Sequence, residues 1–286
     1  MNTPINLDLV LRRVKALPTL PHVFQAVSEL TQDPEAPVAK IARVIETDQA
    51  LTTRILGLVN SPFYGLSGKV TTVAHAVVIL GFNPLRSVVL SASVVDLFQG
   101  GKDARFDFQA FWKHSIATAI CSRILAHHAG LRDAESIFVA GLLHDVGKLV
   151  EWSEMSEPFS RILDRVAEGK AMHEVEMEIL GFTHADVGRL LLQQWKLPEI
   201  LSYTVGAHHL PSADPARLQT AAVVHVADVL CIAGGIGSGG NLRVPVMDRA
   251  AWDALHLQRT EVASMLDRTE KEAEETFAFF KPKAKA

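Results

Sequence analysis

The sequence predicts an all-α protein, and three observations carry that expectation. Apolar residues recur at helical spacing along nearly the whole chain, with no run of alternating strands bounded by turns. Prolines and glycines punctuate the chain into segments of helix length. The most apolar stretch, Ile137 to Val150, reads as a helix buried on all sides. At 286 residues there is ample core for one large domain or two small ones. The polar, glycine-rich turn Gln99–Asp103 is the plausible division, giving an N-terminal helical subdomain over residues 1–100 and a second over 101–286 that includes the C-terminal helix.

In the first half, Leu7 to Ala16 repeats apolar residues at helical spacing and ends before Pro18. Pro21 opens the next helix, since proline is tolerated in a first turn. A loop at Asp33, Pro34 and Pro37 precedes an apolar face of Val38, Ile41, Ala42 and Ile45. Asp48 is the expected N-cap of a helix with Leu51, Ile55, Leu58 and Val59 inward, stopping at Asn60-Ser61-Pro62. Val73–Leu80 is a short helix closed by Gly81, and Leu85–Phe98 another. His22 and His75 are isolated, so this half reads as a packing or binding module.

The second half carries the chemistry. Phe106–Ala129 reads as one long helix, with Phe111, Trp112, Ile116, Ile120 and Ile124 on its apolar side and His114 beside them. Ala134–Val150 reads as a single buried helix, Glu157–Ala167 and Met172–Leu180 as two more. Thr183-His-Ala-Asp186 is a capping box that puts His184 in a first helical turn. A helix from Pro198 ends at His208-His209, Pro215–Ile232 carries His225 and Asp228, and Thr260–Phe280 is a charged amphipathic helix. Gly234–Gly240 lacks the lysine and strand context of a phosphate loop and reads as a flexible loop. Lys281–Ala286 reads as a frayed tail.

Composition excludes more than it selects. A net charge of -4 and a pI near 6.3 offer nothing to a nucleic-acid polymer or an acidic membrane. Asn2–Leu11 lacks the pattern of a signal peptide, and Thr220–Ile236 is too short and too polar to span a bilayer. Cys121 and Cys231 both lie in apolar helical contexts and read as small core residues of a reducing compartment. The expectation is a soluble cytoplasmic protein.

His144 and Asp145 sit inside the Ile137–Val150 stretch, and buried ionisable groups are costly unless paired or bound to a metal. Their possible partners lie in the order His114, His184, His208-His209 and Asp228. Imidazole and carboxylate together suit zinc, iron, manganese or nickel, as one ion or two. A carboxylate between two ions can bridge them, the natural task for Asp145; such metals supply an activated water and a grip on phosphoryl oxygens. Lys148, one turn beyond His144, is placed to offer its ammonium to a phosphate, which makes Asp145 and Lys148 the expected catalytic pair.

The motifs Leu17-Pro-Thr-Leu-Pro21, Asp48-Gln-Ala-Leu51, Asn60-Ser-Pro-Phe-Tyr-Gly65 and Ala76-Val-Val-Ile-Leu-Gly81 resemble those of the HDOD domain, the HD-related output domain of bacterial signalling proteins. The resemblance runs from about Leu17 past His209 and implies an N-terminal helical bundle packed on an HD-phosphohydrolase-like bundle. The histidine and aspartate order is similar to that of the wider HD superfamily, and more closely to its HD-GYP branch of cyclic-dinucleotide phosphodiesterases. That likeness implies that His114, His144, Asp145 and Asp228 bind one metal, and that His184, His208 and His209 serve a second bridged by Asp145. Many HDOD domains lack these ligands; this sequence keeps all seven. No Gly-Tyr-Pro follows Lys148, and Ala110 stands where trinuclear relatives carry a further carboxylate.

The plainer readings are a hydrogen-bonded His144-Asp145 core pair, a satisfied core histidine at 114, and solvated helix ends at His208-His209 and His127-His128. His173, His225 and His256 fall outside the motif order and read as structural, although His225, one turn before Asp228, is placed to neighbour the site. Two functions remain open: a signalling module that relays a state to partner proteins, or a metal-dependent phosphohydrolase acting on a nucleotide or cyclic dinucleotide.

Overall fold

The computed structural model describes residues 19–62, 64–95, 97–98 and 105–280. The expected helix Leu7–Ala16, the turn Gln99–Asp103 and the tail Lys281–Ala286 lie outside the described residues. Every regular element among the described residues is helical, so the protein is all-α. The chain divides into two compact units, with residues 19–97 and the helix end from Lys271 in one and residues 98–270 in the other.

The first unit holds α1 (His22–Leu30), α2 (Val38–Glu46), α3 (Gln49–Val59), α4 (Val73–Leu80) and α5 (Phe82–Val94). Asp48 caps α3 as expected, its Oδ1 accepting the Leu51 amide at 2.9 Å. Thr72 does the same for α4, accepting from the His75 amide at 3.2 Å. Gly81, at φ +76°, ends α4 and starts α5 in one residue. That lets α5 begin three residues before the expected Leu85, with Pro84 in a first turn where its missing N–H costs nothing. Val27, Ile41, Ile45, Ile55 and Val59 form a fully buried centre. The Phe279 ring lies over Gly57, where a Cβ would intrude.

The second unit holds α6 (Phe108–His128), α7 (Ala134–Leu143), α8 (Val146–Glu154), α9 (Ser156–Ala167), α10 (Met172–Leu180), α11 (His184–Gln194), α12 (Glu199–Ala207), a 3₁₀ turn at Pro211–Ala213, α13 (Leu218–Ala233), α14 (Arg249–Ala254) and most of α15 (Arg259–Phe280). Helix α6 packs on both α7 and α13, and α11 on α8 and α12. An aromatic cluster of Phe106, Phe111, Trp152 and Phe159 closes one end.

Two expectations are corrected here. Ala134–Val150 is not one helix: it breaks at His144-Asp145, between α7 and α8. The segment from Pro215 becomes helical only at Leu218, after the 3₁₀ turn. Helix α14, absent from the sequence reading, is capped by Asp248, whose Oδ1 accepts the Ala251 amide at 3.0 Å. Among the described residues no helix is long and apolar enough to cross a membrane.

Candidate metal centre

The break between α7 and α8 is what points the site inward. His144 ends α7 and donates from Nδ1 to the Gly141 carbonyl three residues back, at 2.7 Å. His208, just past α12, does the same to Val205 at 2.6 Å. In both rings a carbonyl fixes Nδ1 as the donor, so Nε2 is the nitrogen turned toward the cluster. Each of these Nε2 atoms is buried and makes no well-aligned hydrogen bond, and neither does nearby Asp145 Oδ1, though polar atoms approach Asp145 Oδ1 to 3.1 Å and His144 Nε2 to 3.3 Å. Three orphaned polar atoms converging in a dry interior suit a cation better than they suit one another.

The remaining ligand-type side chains come from three further elements, with His209 beside His208 past α12. His114 on α6 sets Nε2 3.0 Å from Asp228 Oδ1 on α13. His144 Nε2 stands 3.3 Å from Asp145 Oδ2 and 3.5 Å from Asp228 Oδ1. His184, the first residue of α11, turns Nε2 to Asp145 Oδ1 at 3.1 Å and to His209 Nε2 at 2.8 Å. The Thr183–Asp186 capping box holds that helix start in place. Gly147 lets α8 press against it, because a Cβ there would run into the His184 carbonyl.

All seven sequence candidates therefore meet in one connected cluster. Their ligand atoms fall into three groups, each mutually within 4.8 Å: Asp145, His184, His208 and His209; His114, His144 and Asp145; and His144, His208 and Asp228. Asp145 belongs to two of them. All except His209, which is half-buried, are inaccessible to solvent. The donor set is nitrogen and oxygen with no thiolate, the chemistry of zinc, iron, manganese or nickel.

The electrostatics match. Burial pulls His144 down, but Asp145 and Asp228 outweigh it and push its imidazole up to about 10. Burial would raise both aspartates; His144, with Lys148 beside Asp145 and His114 beside Asp228, holds them well below the usual carboxylate range. Burial and the neighbouring charges of His144 and His184 keep His208 neutral, and burial with His208 and His184 does the same for His209. The carboxylates thus draw positive charge to a nitrogen for which a proton and a divalent cation compete.

Lys148 is fully buried, and its ammonium donates to Asp145 Oδ2 at 2.6 Å and to the Gly239 carbonyl at 2.9 Å. Those oxygens take two of its three N–H donors. The pair His127-His128 lies at the far end of α6 from His114, apart from the cluster.

Two participants, Glu176 and Glu151, were not singled out from the sequence, and a third, His225, was read mainly as structural. Glu176 on α10 accepts from His184 Nδ1 at 2.6 Å and from the His184 amide at 2.8 Å, orienting that ring as outer carboxylates orient metal-bound histidines. Its signal was its place on the buried stripe Met172, Val175, Glu176 and Leu180. Glu151 is buried beside Glu176, and neither of its oxygens has a donor. His225, read as structural, donates from Nδ1 to the His208 carbonyl at 2.8 Å and accepts the Asp248 amide at 2.9 Å, so it positions His208 through the backbone.

Comparison with known proteins agrees with the architecture. The family model described as the HDOD domain matches residues 17–211. A crystal structure of an HDOD domain protein of unknown function from Geobacter sulfurreducens superposes with a TM-score of 0.77 at 25% identity, covering 96% of this chain and 98% of that one. An uncharacterized protein of Treponema pallidum is 28% identical over 205 residues, 70% of this chain and 39% of its own length. Ribonuclease Y of Desulfotalea psychrophila is 30% identical over 118 residues, 41% of this chain and 17% of the relative. The chain thus spans well under half the length of these curated relatives.

Proposed function

This chain belongs to the HDOD domain family, and we propose that it is a signalling module built on a buried mono- or binuclear metal centre, whose state it passes to partner proteins. In this reading His114, His144, Asp145 and Asp228 hold one ion, and His184, His208 and His209 serve a second that shares Asp145. The observation that carries it is the set of orphaned atoms, His144 Nε2, His208 Nε2 and Asp145 Oδ1, with both histidines locked by carbonyls so that Nε2 faces inward. Cations in these two ligand groups would satisfy them, His144 in the first and His208 in the second, with Asp145 common to both. Lys148 and Glu176 act on this centre indirectly, by fixing Asp145 and His184.

The test is elemental analysis of gently purified protein. The reading expects close to one or two equivalents of iron, manganese, zinc or nickel, and their loss in Asp145→Ala. Less than about a tenth of an equivalent in the unaltered protein sinks the metal centre. Pull-down from native cytosol that captures no specific partner removes the signalling half.

A second reading, a metal-dependent phosphohydrolase on nucleotides or cyclic dinucleotides, draws on one feature: a buried ammonium, Lys148, beside the same carboxylate that lies among the imidazoles. When bound, the metals would supply Lewis-acid stabilisation of a phosphoryl group. Asp145 would fix them, and Lys148 would carry compensating charge next to the phosphate. Turnover of a phosphodiester panel by the metal-loaded protein, abolished in Asp145→Ala, would favour it over binding alone.

A further inference from the structure

The glycine-rich segment after α13, which the sequence presents as a flexible loop, lies directly on the metal centre. Its backbone is tied down along its length. The Ile236 amide bonds to Cys231 O at 3.0 Å, with the Ile236 side chain buried. The Ser238 amide bonds to Ala110 O at 2.9 Å, one turn before His114. The Gly239 carbonyl takes the Lys148 ammonium at 2.9 Å, and Asn241 Oδ1 accepts the Met172 amide at 3.2 Å.

The glycines are what make this approach possible. A Cβ on Gly239 would lie 2.6 Å from Asp145 Oδ2 and 3.3 Å from His114 Nε2, so no other residue fits there without displacing ligands. Gly237, at φ +71°, adopts a conformation that favours glycine, and a Cβ on it would strike the His114 backbone. Four residues between 236 and 241 thus tie the segment down and bring the Gly239 carbonyl to Lys148, all beyond the 17–211 range of the family match.

From this we infer that residues 236–241 are a cover that closes the metal centre with the chain's own backbone. The Gly239 carbonyl takes one of the Lys148 donors, and the backbone at Gly237 and Gly239 lies against His114 and Asp145, filling the space a phosphate-class anion would need beside them. Such an anion therefore binds only by displacing the cover, and its apparent affinity is lowered by the fraction of time the cover is closed. The inference rests on the proposed metal centre for the identity of what is covered. It does not rest on that centre for the existence of the cover, which is a matter of backbone tethers.

The experiment uses the full chain, metal-loaded and metal-free, with inorganic phosphate as the probe and Asn241→Ala as the variant, since Asn241 touches no ligand. Phosphate binding to the metal-loaded protein is measured by titration calorimetry, and amide hydrogen exchange is followed across 236–241. Asn241→Ala should bind phosphate about tenfold more tightly, the worth of one tether hydrogen bond. Saturating phosphate should speed exchange of the Ser238 and Gly239 amides by at least about tenfold in the unaltered protein. Equal phosphate affinity in the two proteins, no phosphate binding in either, or exchange that ignores bound phosphate overturns the inference. If the protein takes up no metal, the metal reading fails while the cover is still judged on metal-free protein. Faster exchange across 236–241 in Asn241→Ala then upholds the tethered cover, and unchanged exchange removes it.

Discussion

The interiors of the two units differ in kind. Under α1–α5 the buried polar side chains are mostly hydroxyls that bond a carbonyl one turn back in their own helix: Thr31 to Val27, Ser91 to Ser87 and Ser93 to Val89. Arg54 is the exception in charge, and it too reaches a backbone carbonyl, that of Ala92, at 2.7 Å. The second unit buries hydroxyls of the same kind, Ser115 to Phe111 and Thr269 to Met265 among them, but adds a set of titratable groups that face one another across several elements. The first arrangement satisfies its hydroxyls locally and gives up little when one of them is replaced by an apolar group. The second concentrates carboxylates and imidazoles whose desolvation cost is met only if positive charge is held among them. Two helical cores in one chain therefore differ in purpose: one is packing, the other is a cluster of carboxylates and imidazoles that packing alone does not explain.

Asp145→Ala should break this contrast most severely. It removes the carboxylate common to two ligand groups and leaves Lys148 with only the Gly239 carbonyl. Uncompensated buried charge typically costs about 3–5 kcal/mol, so thermal unfolding should shift strongly downward and bound metal should vanish. Asp145→Asn keeps the volume and checks that metal, not packing, is what was lost. Retention of metal in both variants would dissolve the distinction between the units.

The converse substitution belongs in the first unit. Ile55 is fully buried, and Ile55→Ala should cost about 3 kcal/mol through lost contacts and the cavity left behind. Metal content per folded chain, read by elemental analysis, should stay at the wild-type level. A fall in metal content would mean that the two interiors are energetically one.

Much of this was legible in the sequence, for identifiable reasons. Helix signals repeat: Asp48, Thr183 and Gly181 sit where a cap must be, and their chemistry is local. The seven ligand-type residues were found through their order, which folding preserves. What could not be read was set by three-dimensional proximity. The break at His144-Asp145 comes from a ring bonding Gly141 O, a choice that competes with an apolar run that locally favours helix. Glu176 is one of three acids in α10, and only tertiary packing turns it inward while Glu174 and Glu178 stay outside or half-exposed. The glycines at 237 and 239 look like linker composition, yet they are required by how closely the backbone passes His114 and Asp145.

Glu176→Gln sharpens the comparison at intermediate size. The amide keeps the shape but loses the charge that raises His184 against burial. Loss of such an orienting carboxylate typically weakens metal binding about 10–100-fold. Chelator competition should therefore show metal retained but loosely held, with the first unit's stability unchanged.

Glu151→Gln is the smallest expected change and the most diagnostic of the polar interior. Burial, reinforced by the charge of Glu176, raises the Glu151 carboxyl well above its ordinary 4.5. Glu176 is pulled the other way, since His184 outweighs burial and lowers it. The proton of the pair therefore sits on Glu151, giving it a donor toward Glu176. In the unfolded chain Glu151 ionises near 4.5, so above that pH folding must take up a proton. The wild type should lose about 1.4 kcal/mol of stability per pH unit from this group, until the folded carboxyl itself ionises. Gln carries no such proton and supplies an N–H in its place. The stability of Glu151→Gln relative to wild type, from chemical denaturation between pH 5 and pH 8, should rise with pH and then level off. A difference that stays flat across that range would mean that Glu151 is ionised in the folded protein, and that a cation in the cluster already compensates both glutamates.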